Sequence, residues 1–414
     1  MRIAYLAQSY PPMISGAALV AQQLAEAMAK RGHHVLVIAA SDKEYPYHTC
    51  EENLTVLRLQ SFNNPLRVGQ RLISHPRRAT MRALRQFQPD IIHAHEPIQM
   101  GMLALEYARH TKIPVTITAH QLPWFVASYL PKALKPIIEN AIWMLISRAL
   151  HQYTAIITPT KTISTVIKQK TGLESKVISY GLDLQTFHPL LTSDVRTATR
   201  NRLNLPSNVP ILLHVGRLDA DKNAHAVIRS AAQAMQKTNV HLLVIGDGKE
   251  KPALIRLSKA LGVADRTHFT GFITVNDGLA DIYRVANIFI TASEIETQGI
   301  VLLEAAASGL PIVAVNATCI PEIVHDHVNG FLVQSGDMNA FSDAIAILVN
   351  NPTMEKAMGK EGCIIAKFHT VHHTLYLHEQ LYLETVKQTR ARYVKEKETF
   401  FNPWKAMKTW MGLK

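Results

Sequence analysis

Short apolar runs alternate with segments of helical spacing throughout the first half of this chain, and that alternation limits what it can fold into. Ile3–Ala7, Val35–Ala39, Val56–Leu59, Ile91–His93, Val115–Thr118 and Ile156–Thr158 read as strands. Ser15–Lys30 has helical periodicity, with Leu19, Leu24 and Met28 expected on one side and Gly32 at its end. Continuous apolar runs separated by helices imply a largely parallel sheet covered on both faces. A second series follows the polar stretch Leu191–Pro210, with strands at Ile211–Val215, His241–Ile245, Thr267–Thr270, Ile288–Ile290 and Pro311–Val315. The expected fold class is α/β, with two doubly wound domains over 1–195 and 196–365. They should face a cleft lined by strand carboxyl ends and helix amino ends. A helix over 366–390 is expected to return to the first domain, leaving 391–414 as a basic, aromatic tail.

A length of 414 residues exceeds one ordinary core and suits two. The apolar fraction of 47%, against 18% charged, fits a folded chain. Cys50, Cys319 and Cys363 are far apart and odd in number, which points to a reducing compartment rather than a disulfide framework. MRIAYLAQSY makes a poor secretion signal, and no run approaches the roughly 20 apolar residues that span a membrane. The net charge of +12 is concentrated in two places. From Lys387 to Lys414 there are eight Lys or Arg against two Glu, and from Arg58 to Arg85 seven Arg and no acid. Two solvated basic surfaces account for this, as does attraction to a polyanionic lipid surface or nucleic acid.

The most informative stretch is NIFITASEIETQGIVLLEAAASGLP, starting at Asn287. A strand ends in a loop with Glu294 and Glu296, and Gly299 precedes a helical run. Backbone N–H groups around Gly299, Ile300 and Val301 suit diphosphate oxygens, because unpaired donors and the helix dipole act together. Glu296 in the loop and Glu304 in the helix can accept hydrogen bonds from sugar and ribose hydroxyls. An ordinary βα unit with a surface and a cap-region Glu would read the same way. VGRLDADKN adds a strand ending at Gly216, with Arg217 and Lys222 spaced so that both can reach one cleft and neutralise a departing diphosphate. Gly246 and Gly271 follow two further strands, where each either shapes a nucleotide pocket or makes a tight turn.

Together these motifs resemble the retaining glycosyltransferases with two Rossmann-like domains, the GT-B fold. Glu296 and Glu304 match that family's two Glu separated by seven residues, and Gly216, Arg217 and Lys222 match its Gly-Arg…Lys element. The resemblance implies that Glu296 contacts the donor sugar, Glu304 the ribose, and Arg217 with Lys222 the diphosphate. It also implies that Gly16, in YPPMISGAA, lines the diphosphate site and that His120 lies beside the donor sugar. Without it, Gly16 reads equally as part of a structural turn. His93 and His95 are expected to be structural or acceptor-proximal, since no metal-ligand spacing accompanies the three histidines. Same-face attack with retained configuration is favoured over a double displacement, because no carboxylate stands out as nucleophile. Two cations at the leaving group make a tightly held metal unnecessary; Asp219-Ala220-Asp221 is a weak candidate for one.

ETQGIVLLEAAASGLP is also similar to a subgroup of bacterial glucosyltransferases that make glycolipids from diacylglycerol. Many relatives have Gly-Phe-Gly where this chain has Thr297-Gln298-Gly299, and Pro-Asn-Gly-Val-Asp where it has SYGLD at Ser179–Asp183. An apolar series from Trp124, Phe125, Tyr129 and Leu130 runs into a helix expected over Pro131–His151, amphipathic at a lipid interface or packed on the sheet. Phe400, Phe401, Trp404, Met407 and Trp410 lie among lysines in the tail, placed for a lipid interface or for docking on the neighbouring domain. The expected activity is hexose transfer from a nucleotide sugar, UDP-glucose, to a lipid such as diacylglycerol, by a cytoplasmic protein peripheral on the inner face of the plasma membrane. The alternatives are mannosyl transfer from GDP-mannose to a phosphatidylinositol-like lipid, transfer to a soluble or polysaccharide acceptor, and non-catalytic binding of a sugar nucleotide or nucleic acid. No recognition helix or zinc finger supports a nucleic acid partner.

Overall fold

The computed structural model describes residues 1–13, 15–64, 70–120, 122–123, 134–190 and 192–401. The first series forms β1 (Arg2–Ala7), β2 (His34–Ala40), β3 (Tyr47–Glu51), β4 (Leu54–Leu59), β5 (Ser61–Asn63), β6 (Arg71–Ile73), β7 (Ile91–Ala94), β8 (Val115–Thr118), β9 (Ala155–Thr158) and β10 (Lys176–Val177). Its helices are α1 (Gly16–Lys30), α2 (Arg77–Phe87), α3 (Gln99–Thr111), α4 (Lys135–Leu150) and α5 (Lys161–Thr171). The second series has β11 (Ile211–Val215), β12 (His241–Ile245), β13 (Thr267–Gly271), β14 (Ile288–Thr291), β15 (Ile312–Val315) and β16 (Gly330–Val333). Its helices are α6 (Ser193–Arg202), α7 (Ala224–Lys237), α8 (Lys251–Ala260), α9 (Leu279–Val285), α10 (Ile300–Ala307), α11 (Met338–Asn350), α12 (Pro352–Ala366) and α13 (Val371–Phe401).

The first sheet has the order β10-β9-β8-β7-β1-β2-β4-β3, and the second β13-β12-β11-β14-β15-β16. All neighbours run parallel except the antiparallel edge strand β3. Alternation explains why these strands are apolar throughout. Ala4, Leu6, Leu36 and Ile38 enter the core on one face of the first sheet, while Ile3, Tyr5, Val35 and Val37 enter the core on the other. In the second sheet Leu212, Leu242 and Val244 part in the same way from Leu213, Leu243 and Ile245.

One expectation changes. Leu19 is 55% exposed, whereas Leu24 and Met28 are buried. Val20 and Ala21 take the inward positions one turn ahead of Leu24, so Leu19 falls off the buried stripe. The polar stretch after Leu191 carries a packed helix, α6. Thr192 caps α6, and the buried Arg200 guanidinium donates to the carbonyls of Pro206, Ser207, Val209 and Val285. The long C-terminal helical segment is broken: α12 starts at Pro352, and a 3-10 turn at Lys367–His369 precedes α13. Leu375, Tyr382 and Val386 of α13 then enter the same core as α1, on the first sheet. No helix among the described residues is long and apolar enough to cross a membrane.

Candidate active site between the two sheets

In a doubly wound sheet, loops diverge where the strand order reverses, and the crevice lies there. The first sheet reverses between β1 and β7, the second between β11 and β14. Gly16 follows β1, and His93 and His95 lie on and after β7. The Arg217–Lys222 loop follows β11, and the Glu296 loop follows β14. Gly16 meets the second domain directly: a Cβ built on it would lie 3.4 Å from Ile300 Cδ1, so the starts of α1 and α10 face each other.

Across the second reversal, Lys222 Nζ donates to Glu296 Oε1 at 2.5 Å, with both side chains largely buried. Arg217 donates to Asp219 and, at 2.7 Å, to Asp221. The acidic pair weighed as a metal site is thus engaged with the guanidinium. Below this loop lies His214, a residue the sequence reading passed over. Its Nδ1 bonds Ile290 O at 3.0 Å, and its buried Nε2 has no partner among the described residues. Burial holds its pKa low. Its signal was a single polar residue inside the apolar run ILLHV.

Gly299, whose φ of 77° favours glycine, is the N-cap of α10, and no side chain caps the helix. Ile300 packs against the first-domain core and Val301 against that of the second. One turn in, Glu304 accepts a hydrogen bond from the Tyr283 hydroxyl at 2.7 Å, and burial pushes its pKa up to about 7. A Cβ on Gly216 would meet only His214 Nε2, at 3.9 Å, an ordinary contact. On Gly246 it would lie 1.8 Å from Gly216 O, so this glycine lets β11 and β12 end side by side. Gly271 accepts from the Gly246 N–H at 2.8 Å on the outer strand β13, two strands from β11.

On the first-domain side, His93, His95 and His120 form a buried stack. Ring centroids are 4.5 Å apart for His93 and His95 and 5.1 Å for His95 and His120. His378 from α13 stacks on His93 at 5.9 Å. His93 bonds Tyr382 and Thr118 through its two nitrogens. His120 bonds His95 Nδ1 at 2.8 Å and Tyr180 OH at 2.9 Å, so both its nitrogens already have protein partners. A sugar hydroxyl must displace one of them to bond this ring. Burial lowers the His120 pKa to about 3, which keeps the ring neutral.

The Arg58–Arg85 cluster is not one solvated surface. Arg58 is buried and donates to the carbonyls of Tyr10, Pro11 and Ala40; Arg71 bonds Ser61 and Asn63. Arg77, Arg78, Arg82 and Arg85 of α2 instead line a groove of about 530 Å³ against α3, with Glu106 and His110. The expected helix over Pro131–His151 is observed as α4, with Ile137, Met144 and Leu145 exposed and Trp143 buried in the core. Trp124, Phe125, Tyr129 and Leu130, and the tail from 402 onward with Trp404, Met407 and Trp410, lie outside the described residues.

A family model described as Glycosyltransferase Family 4 matches residues 14–186, and one described as Glycosyl transferases group 1 matches residues 195–363. A GDP-mannose-dependent alpha-mannosyltransferase of Mycobacterium tuberculosis is 30% identical over 360 residues, 84% of this chain and 88% of the relative. An alpha-monoglucosyldiacylglycerol synthase of Streptococcus pneumoniae is 28% identical over 359 residues, 86% of this chain and 80% of the relative. Among solved structures, Anabaena HepE in complex with UDP-glucose matches with a TM-score of 0.75 over 94% of this chain and 100% of that one, at 20% identity. This chain belongs to the group 1, family 4 glycosyltransferases with the GT-B fold.

Proposed function

We propose that this enzyme moves glucose from UDP-glucose to the hydroxyl of a membrane lipid such as diacylglycerol. The observation that carries the reading is the Lys222–Glu296 pair beside the uncapped start of α10, at the point where the second sheet reverses. In the free protein each group neutralises the other. A nucleotide-sugar donor offers both better partners: phosphate oxygens for Lys222 and sugar hydroxyls for Glu296. The acceptor hydroxyl then bonds the anomeric carbon as the bond to the diphosphate breaks, and its proton passes to the departing phosphate on the same sugar face. Arg217, Lys222 and the α10 amides stabilise the charge that develops there, so turnover needs no divalent cation. Glu304 holds the ribose, Gly16 lets the first domain approach the phosphates, and His120 neighbours the sugar.

The donor is supported by the UDP-glucose named for the Anabaena structure, and the acceptor by the diacylglycerol product named for the Streptococcus relative. The apolar side chains exposed on α4 suit acyl chains, and the α2 arginines suit an anionic inner membrane leaflet. The Mycobacterium relative favours a second reading, mannosyl transfer from GDP-mannose. Product analysis with a panel of UDP- and GDP-sugars against extracted lipids tests both readings. Glucosyl-diacylglycerol formed from UDP-glucose is the expected product; a mannolipid formed from GDP-mannose alone would replace this reading with the second. Proton NMR of the anomeric centre reports retention, and an inverted product overturns same-face attack.

A further inference from the structure

The two places where this sequence departs from the commoner family pattern touch one another. Gln298 is fully buried. Its Oε1 accepts from the Tyr180 N–H at 2.8 Å, and its Nε2 donates to Ser179 Oγ. Ser179 and Tyr180 belong to the segment leading from the first domain to the second. That segment meets the other crossing, which returns to the first domain: Leu182 N donates to His369 O at 2.7 Å, and Val371 N to Leu182 O at 3.0 Å. Ser179 Oγ also bonds His369 Nδ1 at 2.9 Å, and Thr374 Oγ1 donates to Ser179 O at 2.9 Å. A Cβ at Gly181 would lie 2.8 Å from Val371 Cα, so the two crossings are in close backbone contact. Gln298 therefore ties the donor loop to the place where both interdomain connections meet.

The same segment reaches the first-domain histidines. Tyr180 OH bonds His120 Nδ1 at 2.9 Å and also contacts Thr297, the neighbour of Glu296. Thr160 Oγ1 donates to Thr297 O at 3.0 Å from the start of α5. One buried tyrosine thus touches the ring proposed to neighbour the sugar and the loop proposed to hold it.

We propose that Gln298 and Tyr180 are positioning residues for sugar transfer: Gln298 latches the donor loop to the interdomain crossing, and Tyr180 transmits that setting to His120. The proposal rests on the transferase reading and adds the means by which the two halves of the site are set in register. Phosphate binding through Lys222, Arg217 and α10 does not pass through this latch. Misalignment should therefore slow transfer while leaving nucleotide affinity in place.

The test uses the full-length protein and the variants Gln298→Ala, Tyr180→Phe and their double. Each is measured for kcat and donor KM, UDP affinity, melting temperature, and amide hydrogen exchange at Tyr180 and 296–299. Each single variant should lower kcat about tenfold while UDP affinity stays within about twofold, and the double should be little worse than either single. Gln298→Ala should also speed exchange of the Tyr180 amide. Additive losses of kcat, or UDP affinity falling in step with kcat, would overturn the positioning role. An unchanged Tyr180 amide overturns the latch alone, and a wild-type protein that transfers no sugar overturns the underlying reading. Tyr180→Phe removes one hydroxyl from an otherwise unchanged ring, so it keeps the test open if Gln298→Ala does not fold.

Discussion

Lys222 and Glu296 come from loops after adjacent strands of the second sheet, and their charged ends lie 2.5 Å apart with little solvent around them. The contact neutralises a cation and an anion that the donor would separate. Removing either one leaves the other largely desolvated, so Lys222→Met and Glu296→Gln should each destabilise the fold, by about 1–3 kcal/mol. The double variant should recover most of that loss. Their effects on function should differ. Glu296→Gln should cut kcat/KM about a hundredfold with UDP affinity nearly unchanged, whereas Lys222→Met should weaken UDP binding as well. Thermal unfolding and UDP titration separate the two, and equal loss of UDP affinity in both variants would contradict the assignment.

The ribose contact proposed for Glu304 predicts nucleotide binding that depends on pH. Burial raises its pKa to about 7, so near neutrality the site is divided between carboxyl and carboxylate. In the proposed site, ribose hydroxyls donate to the carboxylate. UDP affinity should therefore rise as pH increases through 7 and fall as the group protonates below it. Calorimetric titration between pH 6 and 8.5 reads this slope, which Glu304→Gln should flatten.

The same shift bears on stability. A carboxyl with a raised folded pKa favours folding least once it is ionised, above about pH 7. Glu304→Gln should thus be more stable than wild type at pH 8, by about 2–3 kcal/mol at most, and no more stable at pH 5. Melting curves at the two pH values decide it.

The histidine stack makes the first domain sensitive to acid. Burial holds His93 and His95 far below the ordinary histidine value of 6.5, His120 at about 3 and His378 at about 4. A depressed histidine contributes fully to stability above pH 6.5 and loses that contribution as pH falls towards its folded pKa. Each group should add about 1.4 kcal/mol per pH unit to the acid slope. Among the described residues His378 bonds only the Thr374 carbonyl of its own helix, so His378→Phe keeps an aromatic ring and loses little else. Its stability should fall less steeply than wild type between pH 6.5 and 5; parallel curves would refute the account.

The α2 arginines give a test of membrane attachment. Arg78, Arg82 and Arg85 line the groove against α3 without entering the donor site. At about 1 kcal/mol per charge near an anionic surface, changing all three to Gln should weaken vesicle binding about a hundredfold. Sedimentation with phosphatidylglycerol vesicles at low and high salt measures this. Salt-independent binding would shift the attachment to apolar contacts.

The strands of both sheets were legible because burial on two faces leaves a local mark, an uninterrupted apolar run. Short edge elements such as β3, β10 and β16 carry a weaker mark, and α6 hid in a polar stretch because its anchoring is one buried arginine, Arg200, rather than an apolar stripe. In the candidate site, Glu296, Glu304, Arg217 and Lys222 stood out by spacing within their own loops. His214 did not, since one polar residue in a strand does not reveal whether a partner waits above it.

The sequence by itself determined the two parallel sheets and the loops that carry the donor motifs, because both are written in neighbouring residues. Only the tertiary structure decided that Gln298 meets Tyr180, and that His378 stacks on His93 while Tyr382 bonds its Nδ1. Those contacts form when loops from different strands reach the same crevice and when α13 crosses back to the first sheet. Their partners lie as far as 289 residues apart in the chain, beyond the reach of any local periodicity.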